Sequence, residues 1–150
     1  MQKRFRVFLD TSVLIAGLVS STGSAREVLR LAELGLIELV ISEQVLIEAD
    51  RNINSKLPEL INEFRFFIKK LSPLMVDTPE WEVVQEYITM INPYDAPILA
   101  AADINGVDFL LTWDRTHFIG KQFDLKTPLR VLTPGEFLEY FRNALSEDIS

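Results

Sequence analysis

Residues 6–12 have the sequence RVFLDTS, in which a short apolar segment is followed at once by a carboxylate and two hydroxyls. The apolar part, Arg6 to Leu9, is typical of a short buried strand. In parallel α/β sheets the working site lies beyond the carboxyl ends of the strands, near a switch in strand order. Asp10 is therefore predicted to stand at the functional edge of a sheet. It could equally serve as the N-cap of a helix that begins near Val13.

Strand and helix patterns alternate along the rest of the chain, without repeats or low-complexity tracts. Further apolar strands are predicted at 37–41, 74–76, 109–112 and 129–132. Short apolar strands separated by helices predict a parallel sheet covered on both faces. We therefore expect an α/β fold, a three-layer α/β/α sandwich around a central, mostly parallel sheet of four or five strands. The helix from Asp95 or Ala96 to Asn105 is apolar nearly all round and is predicted to be buried.

Length and composition predict one compact domain over residues 1–150, with a frayed polar tail from Ser146. Apolar residues make up 48% of the chain and charged residues 25%, which is typical of a soluble globular protein. No apolar run approaches the ~20 residues of a membrane span, so we expect no membrane contact, and the lack of cysteine fits a cytoplasmic protein. The absence of cysteine excludes disulfides, thiolate catalysis and cysteine-bound zinc. A capping box, Ser24-x-x-Glu27, predicts the start of the second helix.

The formal net charge of −7 disfavours broad electrostatic binding to nucleic acid, which requires basic patches. It is compatible with a nuclease, because a site that binds Mg²⁺ is itself acidic. Arg115, Lys121 and Arg130 could supply local positive charge for a substrate, but scattered surface cations are the simpler interpretation. His117 is the single histidine, which excludes a multi-histidine zinc site, and it is interpreted as a surface loop residue.

A second strand also ends in polar residues, in the segment LLTWD at 110–114. If this strand lies beside the first one, as at a switch point, the ends of the two strands are ~5 Å apart. Asp10 and Asp114 could then hold one ion between them, and Thr112 could orient a carboxylate through a hydrogen bond. The structural alternative is that Asp114 is a turn residue.

Two further carboxylates are candidates, and each has a structural alternative. Asp95 stands at the start of the buried helix, where an N-cap aspartate is common. Asp103 lies ~12 Å further along the helix axis and is expected to serve structure or face solvent. Glu48 borders the apolar face of its helix, while Glu43 and Asp50 border the opposite flank. The helical wheel does not choose between the flanks, and a solvated face is the usual meaning of such acids.

Five segments resemble, in order, those of PIN domains, particularly the VapC-like toxins of prokaryotic toxin–antitoxin pairs. The segments are FLDTSVL at 8–14, ISEQVLIE at 41–48, DAPILAAA at 95–102, FLLTWD at 109–114 and VLTPGEFL at 131–138. Each segment is weakly specific alone, whereas the ordered set spans nearly the whole chain.

The resemblance implies an endoribonuclease that hydrolyses RNA phosphodiesters with one or two Mg²⁺ or Mn²⁺ ions. The positions that match the family's acidic metal ligands and catalytic residues are Asp10, Glu48, Asp95 and Asp114. Those that match its supporting hydroxyls are Thr112 and Ser12, with Thr11 between Asp10 and Ser12. The resemblance, rather than the helical wheel, selects Glu48. It also implies RNA as the substrate, a small antitoxin protein as a partner, and a homodimer.

Two other functions are compatible with parts of this pattern. Phosphotransferases similar to haloacid dehalogenases also place an aspartate after the first strand. They need a second aspartate two residues later, where this chain has Ser12. A non-catalytic PIN-like scaffold that binds a partner protein is expected to have lost one or more of the acids, and all four are present here.

Overall fold

Five short strands form one parallel sheet, and each strand corresponds to an apolar run of the sequence. A computed structural model describes residues 4–114, 117–118 and 123–149. The strands are β1 Phe5–Leu9, β2 Ile37–Ser42, β3 Leu74–Val76, β4 Phe109–Leu111 and β5 Arg130–Leu132. Every strand pair is parallel, and the order across the sheet is β3-β2-β1-β4-β5. The predicted α/β fold with a central parallel sheet is confirmed.

Helices cover both faces of this sheet. Within the described residues they are α1 Thr11–Val19, α2 Ser24–Glu33, α3 Glu43–Lys56, α4 Ile61–Leu71, α5 Trp81–Ile88, α6 Ala96–Ile104 and α7 Pro134–Ile149, with a 3₁₀ turn at Pro58–Leu60. Helices α1–α4 and α7 pack against one another, whereas α5 packs against α6. Because the chain crosses from β3 to the far side of β1, right-handed crossovers place α5 and α6 on the opposite face from α1–α4. None of the described helices has both the length and the apolar character needed to cross a membrane.

The strand order reverses beside β1, which is the central strand. Strands β2 and β3 lie on one side of it, and β4 and β5 on the other. Leu9 pairs with Leu111 at the carboxyl ends of β1 and β4, and the Asp10 amide donates to the Leu111 carbonyl at 3.1 Å. The two strands expected to meet at the switch point are therefore neighbours, and their polar extensions leave the sheet at the same edge.

Helix α6 is buried on all sides, as its composition predicted. Seven of its nine residues are buried, which leaves it no solvent-facing stripe. Gly106 follows the helix with φ of 61°, a left-handed conformation that costs glycine little. The chain can therefore turn sharply after α6 and enter β4 within a few residues.

Helix α7 docks on the sheet through aromatic rings. The Phe137 ring lies 5.1 Å from that of Phe109 on β4, and the Tyr140 ring lies 5.8 Å from that of Phe5 on β1. The Arg130 guanidinium stacks on the Tyr140 ring at 4.9 Å. Arg130 is the first residue of β5 and so lies towards the amino-terminal ends of the strands, whereas Asp10 follows the carboxyl end of β1. Arg130 is therefore not available to the predicted site, while Arg115 and Lys121 lie outside the described residues.

One prediction about helix ends is corrected. Helix α7 runs through Ile149, and the fraying expected from Ser146 stays a prediction. The segment after Gly135 contains no further glycine or proline to end the helix. The predicted capping box at Ser24 is not formed, because the N-cap residue is Gly23, which has no side chain to accept a capping hydrogen bond.

Candidate metal centre

Asp10 leaves the end of β1, and its carboxylate accepts three hydrogen bonds. Oδ1 accepts from the Ser12 hydroxyl at 2.9 Å and from the Val13 amide at 3.0 Å. Oδ2 accepts from the Thr112 hydroxyl. Asp10 is only 8% exposed. The residue therefore caps α1, as the structural alternative held, and in addition directs an oxygen towards the end of β4.

The environment of Asp10 disfavours its charge. Burial raises the pKa of Asp10 above its usual value, and the negative charge of Asp95 adds to the rise. The hydrogen bonds from Thr112, Val13 and Ser12 lower the pKa but do not offset burial. A nearby cation would favour the ionised form, because it supplies the opposite charge that this buried group lacks.

Thr112 connects two of the predicted carboxylates and is fully buried at the end of β4. Its hydroxyl donates to Asp10 and accepts from the Asp114 amide at 3.1 Å. The Thr112 amide donates to the Leu132 carbonyl at 3.0 Å, so strand β5 holds the residue in place. Thr112 thus fixes both the direction of the Asp10 carboxylate and the path of the chain into Asp114.

Asp95 precedes α6, but its side chain does not cap that helix. Asn92 instead donates from Nδ2 to Asp95 Oδ2 at 2.6 Å, and its Oδ1 accepts from the Asp95 amide at 3.1 Å. The sequence did not single out Asn92, whose role depends on the turn between α5 and α6. The Asp95 side chain therefore does not act as the N-cap that the structural alternative assumed.

Glu48 reaches the same region from the first half of α3. Its Oε2 accepts from the Thr11 hydroxyl at 2.8 Å, and its Oε1 accepts from Gln44 Nε2 at 2.9 Å. On the same helix, Asp50 pairs with Arg65 at 2.9 and 3.0 Å, and Glu43 is exposed. Of these three acids, Glu48 is the one held at the edge of the sheet by a contact with α1.

One open cleft, about 430 Å³ in volume, is lined by all four predicted carboxylates. Asp10 and Asp114 reach it from the ends of β1 and β4, and the other two reach it from α3 and the start of α6. The predicted supporting residues Thr11 and Ser12 also line it. Carboxylates crowded together in this way repel one another unless a proton or a cation neutralises them.

His117 is a residue of this cleft region that the sequence did not predict. Its amide donates to Asp114 Oδ1 at 2.9 Å, and its Nδ1 lies 2.7 Å from Asp114 Oδ2 and 3.8 Å from Asp95 Oδ2. Among the described residues, Asp95, Asp114 and His117 each offer one atom within 4.8 Å of the other two. The half-exposed side chain agrees with the predicted surface position, and of its two acidic neighbours only Asp95 is distant in sequence.

The profile of the PIN-domain family matches residues 6–116, well over half of the chain. The chain belongs to the PIN-domain family. No curated protein matches it in sequence.

Solved structures similar to this PIN domain include three bacterial proteins. The DNA-bound VapBC of Salmonella typhimurium has a TM-score of 0.64 at 16% identity, covering 87% of this chain and 98% of that chain. VapBC2 of Rickettsia felis, bound to a DNA fragment from its promoter, has 0.60 at 18% identity, covering 75% and 90%. VapC20 of Mycobacterium tuberculosis, a toxin that cleaves the sarcin-ricin loop, has 0.51 at 17% identity, covering 73% and 91%. At these identities the likeness shows a shared fold.

The donor atoms of the cleft fit a hard divalent cation. Carboxylate oxygens are the protein ligands that Mg²⁺ and Mn²⁺ prefer, and four of them line this PIN domain's cleft. The raised pKa of Asp10 is the expected consequence of a buried acid that lacks a neighbouring positive charge. The cleft is also open to solvent, so a hydrated ion can enter it.

Asp103 does not line the cleft and serves structure, one of the two outcomes expected for it. It is fully buried and accepts hydrogen bonds from the Tyr87 hydroxyl at 2.8 Å, the Lys126 amide at 2.9 Å and the Thr127 hydroxyl at 2.7 Å. Burial by itself raises the pKa of Asp103, but these bonds together hold it below its usual value. The carboxylate therefore fastens α6 to α5 and to the segment before β5.

Proposed function

We propose that this PIN domain is a metal-dependent endoribonuclease that hydrolyses RNA phosphodiesters. The observation that carries the proposal is the convergence of four carboxylates, from four separate elements, on one cleft at the carboxyl edge of the sheet. Asp10 and Thr112, which contact each other there, are 102 residues apart in sequence. Acids crowded at a cost in desolvation and repulsion are typical of functional sites.

The four carboxylates proposed to hold one or two Mg²⁺ or Mn²⁺ ions are those of Asp10, Glu48, Asp95 and Asp114. An ion held there would supply Lewis acidity for hydrolysis of the phosphodiester by water. One carboxylate of the set accepts the proton that the attacking water releases. The open shape of the cleft leaves room for a strand of RNA to lie across it.

Neighbouring side chains hold these carboxylates in fixed directions before any substrate arrives. The holding residues are Ser12 and Thr112 at Asp10, Thr11 and Gln44 at Glu48, and Asn92 at Asp95. Hydrogen bonds from such neighbours orient metal ligands and raise affinity, because less freedom is lost on binding. The predicted supporting role of Thr112, Ser12 and Thr11 is proposed in this sense.

The test is cleavage of defined RNAs with Mg²⁺, with Mn²⁺ and with a chelator. We expect cleavage with either ion, none with the chelator, and little with Asp10→Asn or Glu48→Gln. Glu43→Gln is the matched control, because Glu43 lies on the same helix as Glu48 and does not line the cleft. We expect this control to cleave at the wild-type rate.

Two results would contradict the proposal. A folded Asp10→Asn protein with full Mn²⁺-dependent cleavage would show that the cleft is not the active site. A wild-type protein that binds Mn²⁺ but cleaves none of the RNAs would favour the non-catalytic scaffold instead. Phosphotransfer through Asp10 has no support in the contacts described, since Ser12 donates a hydrogen bond to that carboxylate where such enzymes carry a second acid.

The same reasoning extends to a biological role as the toxin of a toxin–antitoxin pair. Support comes from the toxin-like segments of the sequence and from the VapBC assemblies that share the fold. We propose a small antitoxin protein as partner, a homodimer as the resting state, and the cytoplasm as the place of action.

Expression of the wild type alone should arrest growth, and expression of Asp10→Asn should not. Co-expression of the wild type with a small DNA-binding protein from the adjacent reading frame should restore growth. Light scattering on the purified protein tests the homodimer.

A further inference from the structure

The His117 imidazole stands against two of the four carboxylates proposed as metal ligands. Its Nδ1 is 2.7 Å from Asp114 Oδ2 and 3.8 Å from Asp95 Oδ2, and its side chain is 49% exposed. The His117 amide also donates to Asp114 at 2.9 Å, which fixes the backbone of His117 beside the cleft. A nitrogen that can coordinate a metal ion therefore lies beside the carboxylate oxygens of Asp95 and Asp114.

The two separations from Nδ1 fit ligands of a single ion. Two atoms bound to the same ion at ~2.1 Å lie no more than ~4.2 Å apart, and neighbouring ligands of an octahedron lie ~3 Å apart. Both distances from Nδ1 fall within the larger limit, and the shorter one is close to the octahedral spacing. All three residues offer atoms within 4.8 Å of one another, and the His117 side chain is half-exposed, so it has room to adjust to an ion.

We propose that His117 Nδ1 is a direct ligand of the ion held by Asp95 and Asp114, and that this nitrogen makes the site prefer Mn²⁺ to Mg²⁺. The proposal rests on the metal-dependent function proposed above and specifies which ion the centre selects. The resemblance in the sequence implied acidic ligands, so a mixed nitrogen and oxygen set is a departure from it.

The preference follows from the chemistry of the donors. Imidazole nitrogen is a good ligand for first-row transition ions, whereas Mg²⁺ is bound by oxygen and retains much of its water. A nitrogen added to carboxylates therefore strengthens Mn²⁺ binding more than Mg²⁺ binding. The 2.7 Å contact is a hydrogen bond from Nδ1–H to the Asp114 carboxylate, which can only accept. An ion that replaces this proton binds the Nδ1 lone pair, and the ring proton is then on Nε2 of the half-exposed ring.

A competing explanation gives His117 the role of a protonated counter-charge for Asp95 and Asp114. An ion that enters the cleft would then displace the ring. Removal of the ring would strengthen the binding of Mn²⁺ and Mg²⁺ alike, because a competing positive charge is lost. The two explanations thus predict changes of opposite sign for Mn²⁺ affinity.

Calorimetric titration with MnCl₂ and with MgCl₂ separates them, on tag-free wild type, His117→Ala and His117→Asn. We expect Mn²⁺ affinity to fall on the order of tenfold or more in both variants. Mg²⁺ affinity should change by less than about threefold, because oxygen ligands dominate its binding. Thermal unfolding of each variant verifies that the fold is retained.

Pulsed electron paramagnetic resonance of the Mn²⁺-loaded protein gives a second readout. Because His117 is the single histidine of the chain, a directly bonded ¹⁴N signal can be assigned to it without ambiguity. The signal should appear in the wild type and vanish in His117→Ala. Its absence from the Mn²⁺-loaded wild type, or variants whose affinities for both ions stay the same or rise, would overturn the proposal. A wild type that binds neither ion would instead overturn the metal-dependent function itself.

Discussion

The carboxylate of Asp10 both caps helix α1 and lines the cleft. Its Oδ1 accepts from the Val13 amide in the first turn of α1, and its Oδ2 faces Thr112 across the β1–β4 junction. Capping alone does not require an acid, because asparagine and serine cap helices as well. The charge adds only about 0.3–1 kcal/mol through the helix dipole, and burial disfavours it. A residue that keeps a costly charge in this way is typical of a functional site.

Asp10→Asn is expected to separate stability from activity. Asparagine retains the cap, so the free energy of unfolding without divalent ions should stay within about 1 kcal/mol of the wild type or rise. RNA cleavage should fall by on the order of a hundredfold or more, because a charged ligand is lost. Urea denaturation and cleavage assays on the same preparation measure the two effects. A loss of several kcal/mol would mean that Asp10 is chiefly structural.

Thr112→Val removes the hydroxyl that connects Asp10 to the Asp114 amide. The variant leaves the partly buried Asp114 amide without this acceptor, so we expect a loss of about 1–3 kcal/mol in stability. Mn²⁺ affinity should fall by about 10–100-fold, as is usual when the hydrogen bond to a metal ligand is removed. Thr112→Ser keeps the hydroxyl and should recover most of the affinity in calorimetry. If valine and serine bind Mn²⁺ equally well, the hydroxyl does not position the carboxylate.

At the scale of elements, the starts of α2 and α7 show how one sequence motif leads to two structures. Both contain a hydroxyl residue followed three positions later by glutamate. At α7 the reciprocal bonds form, with the Thr133 amide donating to Glu136 at 2.9 Å and the Glu136 amide donating to Thr133 at 3.1 Å. At α2 the helix starts one residue earlier, because the Gly23 carbonyl accepts from the Glu27 amide at 3.1 Å. Ser24 is then inside the helix and cannot cap it.

Thr133→Ala and Ser24→Ala form a matched pair that tests this difference. We expect Thr133→Ala to lower the free energy of unfolding by about 1 kcal/mol, the usual cost of losing an N-cap side chain. Ser24→Ala should cost almost nothing or stabilise, since alanine has the higher helix propensity. Equal losses in urea denaturation would show that the two motifs act alike.

The elements that could be predicted from the sequence are those with a continuous local pattern. Strand β3 was predicted at its observed bounds, and β1 within one residue, since each contains a short apolar run, although two of the three β3 residues are exposed. The positions of Asp10 and Asp114 at the ends of β1 and β4 could be predicted because both acids follow apolar runs closely. Glu48 could not be chosen from its helix alone, because both flanks of α3 carry acids. Asn92 and His117 were missed because they lie in turns, where no periodicity exists, although each contacts an acid only three residues away.

At the scale of the whole molecule, Asp103 connects parts of the chain that the sheet does not join. Its buried carboxylate accepts from Tyr87 on α5 and from the amides of Lys126 and Thr127, which precede β5. These contacts fasten the segment before β5 to helices α5 and α6. Since β5 in turn holds Thr112, the anchor at Asp103 supports the cleft from a distance.

Asp103→Asn should weaken the fold in a way that depends on pH. Because hydrogen bonds hold the pKa of Asp103 below its usual value, the ionised carboxylate stabilises the folded state above pH ~4. That contribution is lost as the pH falls through the lowered pKa. We expect a deficit of about 3 kcal/mol for the variant at pH 7, shrinking below pH ~4, in urea denaturation across that range.

Asp50→Asn is the control for this experiment, because Asp50 also has a lowered pKa but lies at the surface in an ion pair with Arg65. Surface pairs of this kind contribute about 0–1 kcal/mol. A deficit as large for Asp50→Asn as for Asp103→Asn, or one for Asp103→Asn that does not change with pH, would contradict the anchoring role.

The central place of β1 in the sheet has a consequence for synthesis on the ribosome. Strand β1 is translated well before β4, with which it pairs, and the contact between Asp10 and Thr112 spans 102 residues. A nascent chain therefore has no complete acidic cleft until Asp114 has left the exit tunnel. If the protein is the nuclease proposed here, incomplete nascent chains do not cleave the RNA of the ribosome that synthesises them.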